Sequence, residues 1–467
     1  MLEVNAEERL QLKKSGQTFL GILNDIKRRP EDAASELGVT TNEIYSIING
    51  EKPISQNLVD KATRIWPVNS RDFFNIRDDC PLGVKIMTAE ESKQSSRIMD
   101  RAGKPYYEYR DTAMSTTASF RPEWIEELCI VENNDATSTI VQWNNGHFLH
   151  QFTYFVGNVN FYYEENGIKK IAVMKTGDSM YITPFTRHTF ATRSGSDTNG
   201  LILALTYGNK ITGDTQQEMS CLPISQGSNI ALDFSTTNNS SASLIKFYRE
   251  ISNLTVEEMS KRTGFSKTLI DTFENGEKIP GIAETKKIAC SLGINTRDLL
   301  PNDKIENKVI IKKHENTNFW YYPENEKSYK FSELASTTTL PDSKAFEVEV
   351  FDSNDENLDL KVGLHQYVYN IGNTQISINW EHDGTKHSKI FKSDDSCYVK
   401  PFTPHNFRGT GKLLILRIGG NLTGDSKREL SFIGKDNVKR AISETMQWFD
   451  SHDEHYFFLC TFFFGYK

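Results

Sequence analysis

Three residues of this 467-residue chain have the types and spacing of a metal site: His147, Gln151 and His188. All lie in residues 143–190, WNNGHFLHQFTYFVGNVNFYYEENGIKKIAVMKTGDSMYITPFTRHTF. If 147–156 is an extended strand, side chains an even number apart share a face. His147 and Gln151 then point one way and His150 the other. His188 enters from the far side, after Tyr181 to Arg187. Two imidazoles and an oxygen donor on one face of an octahedron leave positions open for substrate and dioxygen, as in non-haem Fe(II) oxygenases. The oxygen donor is ordinarily a carboxylate; here no acid is placed to serve, and Gln151 offers a neutral amide oxygen. The same residues also read as satisfied polar groups of a sheet core. Two imidazoles and an amide would accept cobalt, nickel or zinc as well.

Such a site needs short strands around it. Segments 147–156, 158–164, 169–174 and 179–183 mix β-branched, aromatic and polar residues, with breaks at Gly157-Asn158, Glu165-Asn166-Gly167 and Gly177-Asp178. This is the pattern of an antiparallel meander, as in a double-stranded β-helix (cupin) barrel. Upstream, apolar residues recur at helical spacing from Ala6 to about Trp66. PEDAASELGVTTNEIYSIINGEKPIS reads as a helix-turn-helix, with turns at Gly38 and Asn49-Gly50. Its second helix carries Glu43 and no Lys or Arg to meet phosphates or base edges. The formal net charge of -8 likewise argues against nucleic acid as a partner.

The plan then repeats. NGEKIP follows a second helix-turn-helix as NGEKPI follows the first; HQYVYNIGN matches HQFTYFVGN, and KSDDSCYVKPFTPHNF matches KTGDSMYITPFTRHTF. The expected fold is α+β, a tandem repeat of a helix-turn-helix-like helical domain plus a cupin barrel. The divisions are 1–70 helical, 71–225 cupin barrel with the metal site, 226–305 linker and second helical domain, and 306–467 second, degenerate barrel. Within these, 67–110 reads as a connector and the Ser/Asn/Thr-rich residues 226–243 as a linker. His405 and Gln366 match His188 and Gln151, but Val362 stands where His147 does, so the second barrel reads as structural.

The length suggests several domains, and the 37% hydrophobic and 25% charged content is that of an ordinary globular protein. No run of 18 apolar residues and no signal-peptide core are visible, so a cytoplasmic location and no membrane partner are expected. Six cysteines without a CxxC pair indicate neither zinc nor disulfides. The apolar end, YFFLCTFFFGYK, reads as a buried strand or an oligomer contact, and a homo-oligomer is expected.

Across nearly its whole length the chain resembles the non-haem iron family of hydroxyethylphosphonate dioxygenase and methylphosphonate synthase, with their doubled helical-plus-cupin layout. NNGH at 144–147 looks like the motif carrying the first iron-ligand His, and PFTRH ending at His188 like the last. The spacing of Arg101 and Tyr109 is similar to the family's substrate-binding pair, and Lys27 to its phosphonate-contacting Lys. The dioxygenase takes a Glu ligand six residues before the last His, where this chain has Ile182; Gln151 matches the amide ligand of the synthase. The resemblance therefore implies Fe(II) held by His147, Gln151 and His188, and 2-hydroxyethylphosphonate bound by Lys27, Arg101, Tyr109 and Asn144. It implies dioxygen as co-substrate without 2-oxoglutarate, with Lys27, Gln151 and Ile182 shaping catalysis. The product would be methylphosphonate with CO2; the dioxygenase outcome is hydroxymethylphosphonate with formate. A helix-turn-helix regulator carrying a ligand-sensing cupin is the competing function.

Overall fold

The computed structural model describes residues 6–118, 120–195, 197–208, 213–301, 308–352 and 357–443. Four helices open the chain: α1 (Ala6–Asp25), α2 (Pro30–Leu37), α3 (Thr41–Ile48) and α4 (Gln56–Ile65). Pro30 starts α2, and Gly38, left-handed at φ 65°, ends it. The Thr40 hydroxyl then caps α3 by accepting from the Glu43 N–H. Ile44, Ile47 and Ile48 turn inward on Phe19, Leu23, Leu37 and Leu58. Gly16 lets α1 lie on α3, since a Cβ there would meet the Ile47 carbonyl oxygen at 2.4 Å.

The strands fall into two sheet pairs. The first half supplies β1 (Val84–Met87), β2 (Arg97–Arg101), β3 (Lys104–Asp111), β4 (Arg121–Glu127), β5 (Ile130–Val131), β6 (His150–Val156), β7 (Val159–Glu165), β8 (Ile168–Met174), β9 (Ser179–Ile182), β10 (His188–Arg193) and β11 (Gly200–Tyr207). The second supplies β12 (Val309–Lys312), β13 (Phe319–Tyr322), β14 (Tyr329–Glu333), β15 (Ser343–Val350), β16 (His365–Asn370), β17 (Ile376–His382), β18 (Thr385–Phe391), β19 (Ser396–Val399), β20 (His405–Arg408) and β21 (Gly411–Ile418). One seven-stranded sheet runs β12-β9-β6-β11-β4-β3-β2 and the other β1-β19-β16-β21-β15-β14-β13. The smaller sheets run β5-β10-β7-β8 and β18-β17-β20. Alternation sorts the side chains. On β6, Gln151, Thr153 and Phe155 face into the first pair, while Phe152 and Tyr154 join Tyr367, Tyr398 and Leu416 in a core shared by both halves.

The two large sheets exchange edge strands. β1 pairs with β19, and β12 pairs with β9, Val309 lying opposite Ile182. Residues 67–110 are therefore more than a connector, because they hold a strand of the other half's sheet. Residues 226–243 also differ from the linker reading: a helix begins at Thr237, capped by Thr236 and packed through buried Ser240 and Ser241. Small polar residues that would suit a linker suit a tight helix contact equally well. The terminal YFFLCTFFFGYK lies outside the described residues. Among the described residues no helix is long and apolar enough to cross a membrane.

The exchange is locked by charge. Asp178, fully buried, accepts from the Lys313 ammonium at 2.8 Å, the His314 N–H at 2.9 Å and the Lys175 N–H at 3.0 Å. Lys313→Met removes the counter-ion from a buried carboxylate. About 2 kcal/mol of stability should be lost, below the roughly 3–5 kcal/mol for a fully buried pair because Lys313 is one-third exposed. Urea unfolding of the full chain checks this, and a loss below a few tenths of a kcal/mol would mean the pair does not lock the seam.

Candidate metal centre

His147 does not lie on the strand. It sits in the loop before β6, so even spacing along a strand is not what aims it at Gln151. The loop is held instead by backbone: the Phe185 N–H donates to the His147 carbonyl at 2.8 Å, and Gly146, at φ +77°, lies flat against Phe185. A Cβ at Gly146 would meet the Phe185 carbonyl carbon at 2.6 Å. Gly146→Ala should therefore displace His147, weakening metal affinity by roughly 10–100-fold. Anaerobic iron titration with a melting curve checks it; unchanged affinity would mean the loop tolerates a side chain.

The arrangement does bring the three candidates together. His147 Nε2 stands 2.9 Å from Gln151 Oε1, and the His147 and His188 rings lie 5.2 Å apart at 85°. Each imidazole is oriented from behind. His147 Nδ1 donates to the Leu149 carbonyl at 2.7 Å, and His188 Nδ1 to the Thr186 carbonyl at 2.8 Å. In the neutral rings both Nε2 atoms then carry lone pairs. The Gln151 NH2 donates to Thr153 Oγ1 at 2.9 Å, which turns its carbonyl oxygen toward His147. Two acceptors thus face each other with no proton between them, a contact that a cation would make favourable. His188 is 3% exposed, and burial pushes its imidazolium down to about 3, so the ring stays neutral. Among the described residues no three His, Cys, Asp or Glu side chains cluster, and the side-chain oxygen that stands with the two imidazoles is that of the Gln151 amide.

Ile182, fully buried, is the direct cross-strand partner of Gln151. Asn144 accepts at Oδ1 from the His188 N–H at 2.9 Å and the Gly146 N–H at 3.0 Å, leaving its NH2 3.1 Å from His188 Nε2. Arg101 lies over Tyr106 and Tyr107 and donates to the Gln142 carbonyl at 2.7 Å; its charge reaches His188. Tyr109 packs edge-on against Tyr107, and burial raises its pKa, so it remains a proton donor. Lys27 is on another element, exposed in the turn after α1, with its ammonium on the Asn24 carbonyl. Sequence reading missed Thr153, which even spacing from Gln151 would have found. It also missed Thr189, whose hydroxyl meets Tyr106 and Tyr107 at 3.0 Å each.

In the second sheet pair the Phe402 N–H donates to the Val362 carbonyl at 2.7 Å, as Phe185 does to His147, so Val362 occupies the His147 place. His405 again donates from Nδ1 to a carbonyl, that of Thr403. A guanidinium has entered instead of a third donor: Arg417 donates to Gln366 Oε1 at 2.9 Å.

Two imidazoles beside one oxygen donor resemble the two-histidine, one-carboxylate set of mononuclear non-haem iron oxygenases, with an amide in the carboxylate's place, and the relatives narrow the class. The helix-turn-helix domain family matches residues 242–313. Methylphosphonate synthase of Nitrosopumilus maritimus (strain SCM1) is 62% identical over 440 residues, 94% of this chain and 96% of that protein. A Streptomyces albus hydroxyethylphosphonate dioxygenase, solved with 2-hydroxyethylphosphonate and Fe(II) bound, has a TM-score of 0.87 at 33% identity, over 94% of this chain and 99% of its own. A variant 2-hydroxyethylphosphonate dioxygenase, 18% identical over 91% of this chain and 99% of its own, shares the fold at a TM-score of 0.72. The chain belongs to the methylphosphonate synthase and hydroxyethylphosphonate dioxygenase family.

Proposed function

We propose that the chain is a tandem pair of helix-turn-helix-like units and cupin barrels whose first barrel converts 2-hydroxyethylphosphonate and dioxygen to methylphosphonate and CO2. The observation that carries this is the facing of His147 Nε2 and Gln151 Oε1 beside His188, with the apolar Ile182 as the direct cross-strand partner of Gln151. His147, Gln151 and His188 would hold Fe(II). Bound there, iron supplies a Lewis acid for the substrate's hydroxyl and phosphonate and a centre for dioxygen reduction.

The chain's own groups bind and orient. Arg101 offers a planar fork to phosphonate oxygens, and its stacking on two tyrosines fixes the fork's direction. Tyr109, kept protonated by burial, donates from the same wall, and the Asn144 NH2 donates beside His188. Lys27 adds a second cation when its helical unit covers a barrel mouth, its own or that of a second copy. The atoms balance without 2-oxoglutarate: one substrate and one O2 give methylphosphonate, CO2 and water, the substrate providing all four electrons. The helical units serve this enclosure rather than duplex reading, since α3 carries Glu43 and no base.

Substrate labelled with carbon-13 at the carbinol carbon tests the reading. With the Fe(II)-loaded protein in air the label should leave as CO2. Label recovered as formate would assign the dioxygenase outcome, and label left in the substrate by iron-loaded protein would overturn the enzyme reading.

A further inference from the structure

The second barrel holds a cation, Arg417, that no carboxylate among the described residues neutralises. Arg417 sits on β21 directly opposite Gln366, the register position that Thr206 holds opposite Gln151 in the first barrel. Its Nε donates to Gln366, and its guanidinium carbon lies 5.3 Å and 5.7 Å from the Phe346 and Phe331 ring centres. No carboxylate among the described residues is within ion-pair distance of it, although Asp359 lines the same hollow. Burial lowers its pKa only to about 10, so it remains charged at neutral pH. This half-buried guanidinium bonds the described residues through Nε, which leaves its two Nη donors for an anionic partner.

The space exists. Arg417 opens into a hollow of about 290 Å³ walled by Trp320 and Tyr322, with Lys361 and Val362 also lining it. Trp320 and Tyr322 are 42% and 39% exposed, unusually wet for rings on a sheet. The hollow therefore joins a fixed fork of donors, a second ammonium and aromatic walls, on the side corresponding to the first barrel's metal.

We propose that the second barrel is a binding site for a small oxyanion, a phosphate, phosphonate or carboxylate, held by the Arg417 guanidinium with help from Lys361. Two parallel N–H donors suit either head group, and 290 Å³ admits a molecule of a few heavy atoms. Val362 leaves the approach to Arg417 open where a His ligand would have closed it.

Calorimetric titration of inorganic phosphate into the full chain tests this, with acetate in parallel and an Arg101→Met protein to remove the first barrel's contribution. One saturable event should persist in Arg101→Met and weaken by about tenfold or more in Arg417→Met. Val362→Glu places a carboxylate beside Arg417 and should abolish the event while keeping the arginine, so it decides the matter if Arg417→Met fails to fold. Acetate binding with this variant pattern, without phosphate binding, would support the site and make carboxylates its ligands. Binding unaffected by Arg417→Met and Val362→Glu, binding lost only in Arg101→Met, or no saturable binding of either anion would overturn it.

Discussion

A His188→Ala protein should keep its fold, lose its iron, and turn over at least about a thousandfold more slowly. The loss is expected to be this large because His188 is one of only two imidazoles at the site. The Gln151 amide and His147 alone leave two neutral donors, too few to retain Fe(II) against water. The fold should survive because the lost ring's anchors are local: the Thr186 carbonyl behind it and the Asn144 amide in front. The His188 N–H and carbonyl, which zip the strand to Asn144, belong to the backbone and stay. Iron stoichiometry by chelator assay, with circular dichroism for the fold, reads both halves of the expectation. A folded His188→Ala protein that still binds iron stoichiometrically would remove His188 from the ligand set.

The second large effect concerns product, not rate. Ile182 and Gln151 are paired across β9 and β6, so their Cβ atoms lie about 5 Å apart on one face. A carboxylate carried at 182 can thus approach the position that the Gln151 oxygen takes. In the double variant Ile182→Glu with Gln151→Leu, a neutral donor becomes an anionic one, and the carboxylate enters from the neighbouring strand. We expect the product ratio to move at least tenfold toward hydroxymethylphosphonate, equivalent to about 1.4 kcal/mol between competing barriers. Because Glu replaces a fully buried Ile, the variant should also melt lower without metal and recover when Fe(II) is added. An iron-loaded double variant that still made only methylphosphonate would show that the ligand's charge and strand do not set the outcome.

Much of the candidate site is legible in residue types alone, because side chains that could serve as metal ligands are few in so short a span. His188 could be placed because PFTRH follows a strand, and the structure has it as the first residue of β10. The pairing of His147 with Gln151 has another cause than strand spacing. Strand periodicity suggested their meeting, whereas a glycine loop against Phe185 achieves it, and side-chain spacing carries no record of such backbone contacts. The strand exchange was invisible for a related reason. VKIM and VIIK are four-residue strands, and nothing in so short a segment names a partner about 310 or 130 residues away. Arg417 lay within reach, since matching ILALTYGN to LLILRIGG puts it in the Thr206 place.

The measurement closest to the centre of this account is phosphorus NMR of the Fe(II)-reconstituted chain with 2-hydroxyethylphosphonate and dioxygen, 2-oxoglutarate omitted. The substrate resonance should give way to one split by a methyl group, as in methylphosphonate. A hydroxymethylphosphonate resonance would contradict the role given to Gln151 and Ile182, and an unchanged substrate resonance with iron bound would contradict the activity itself.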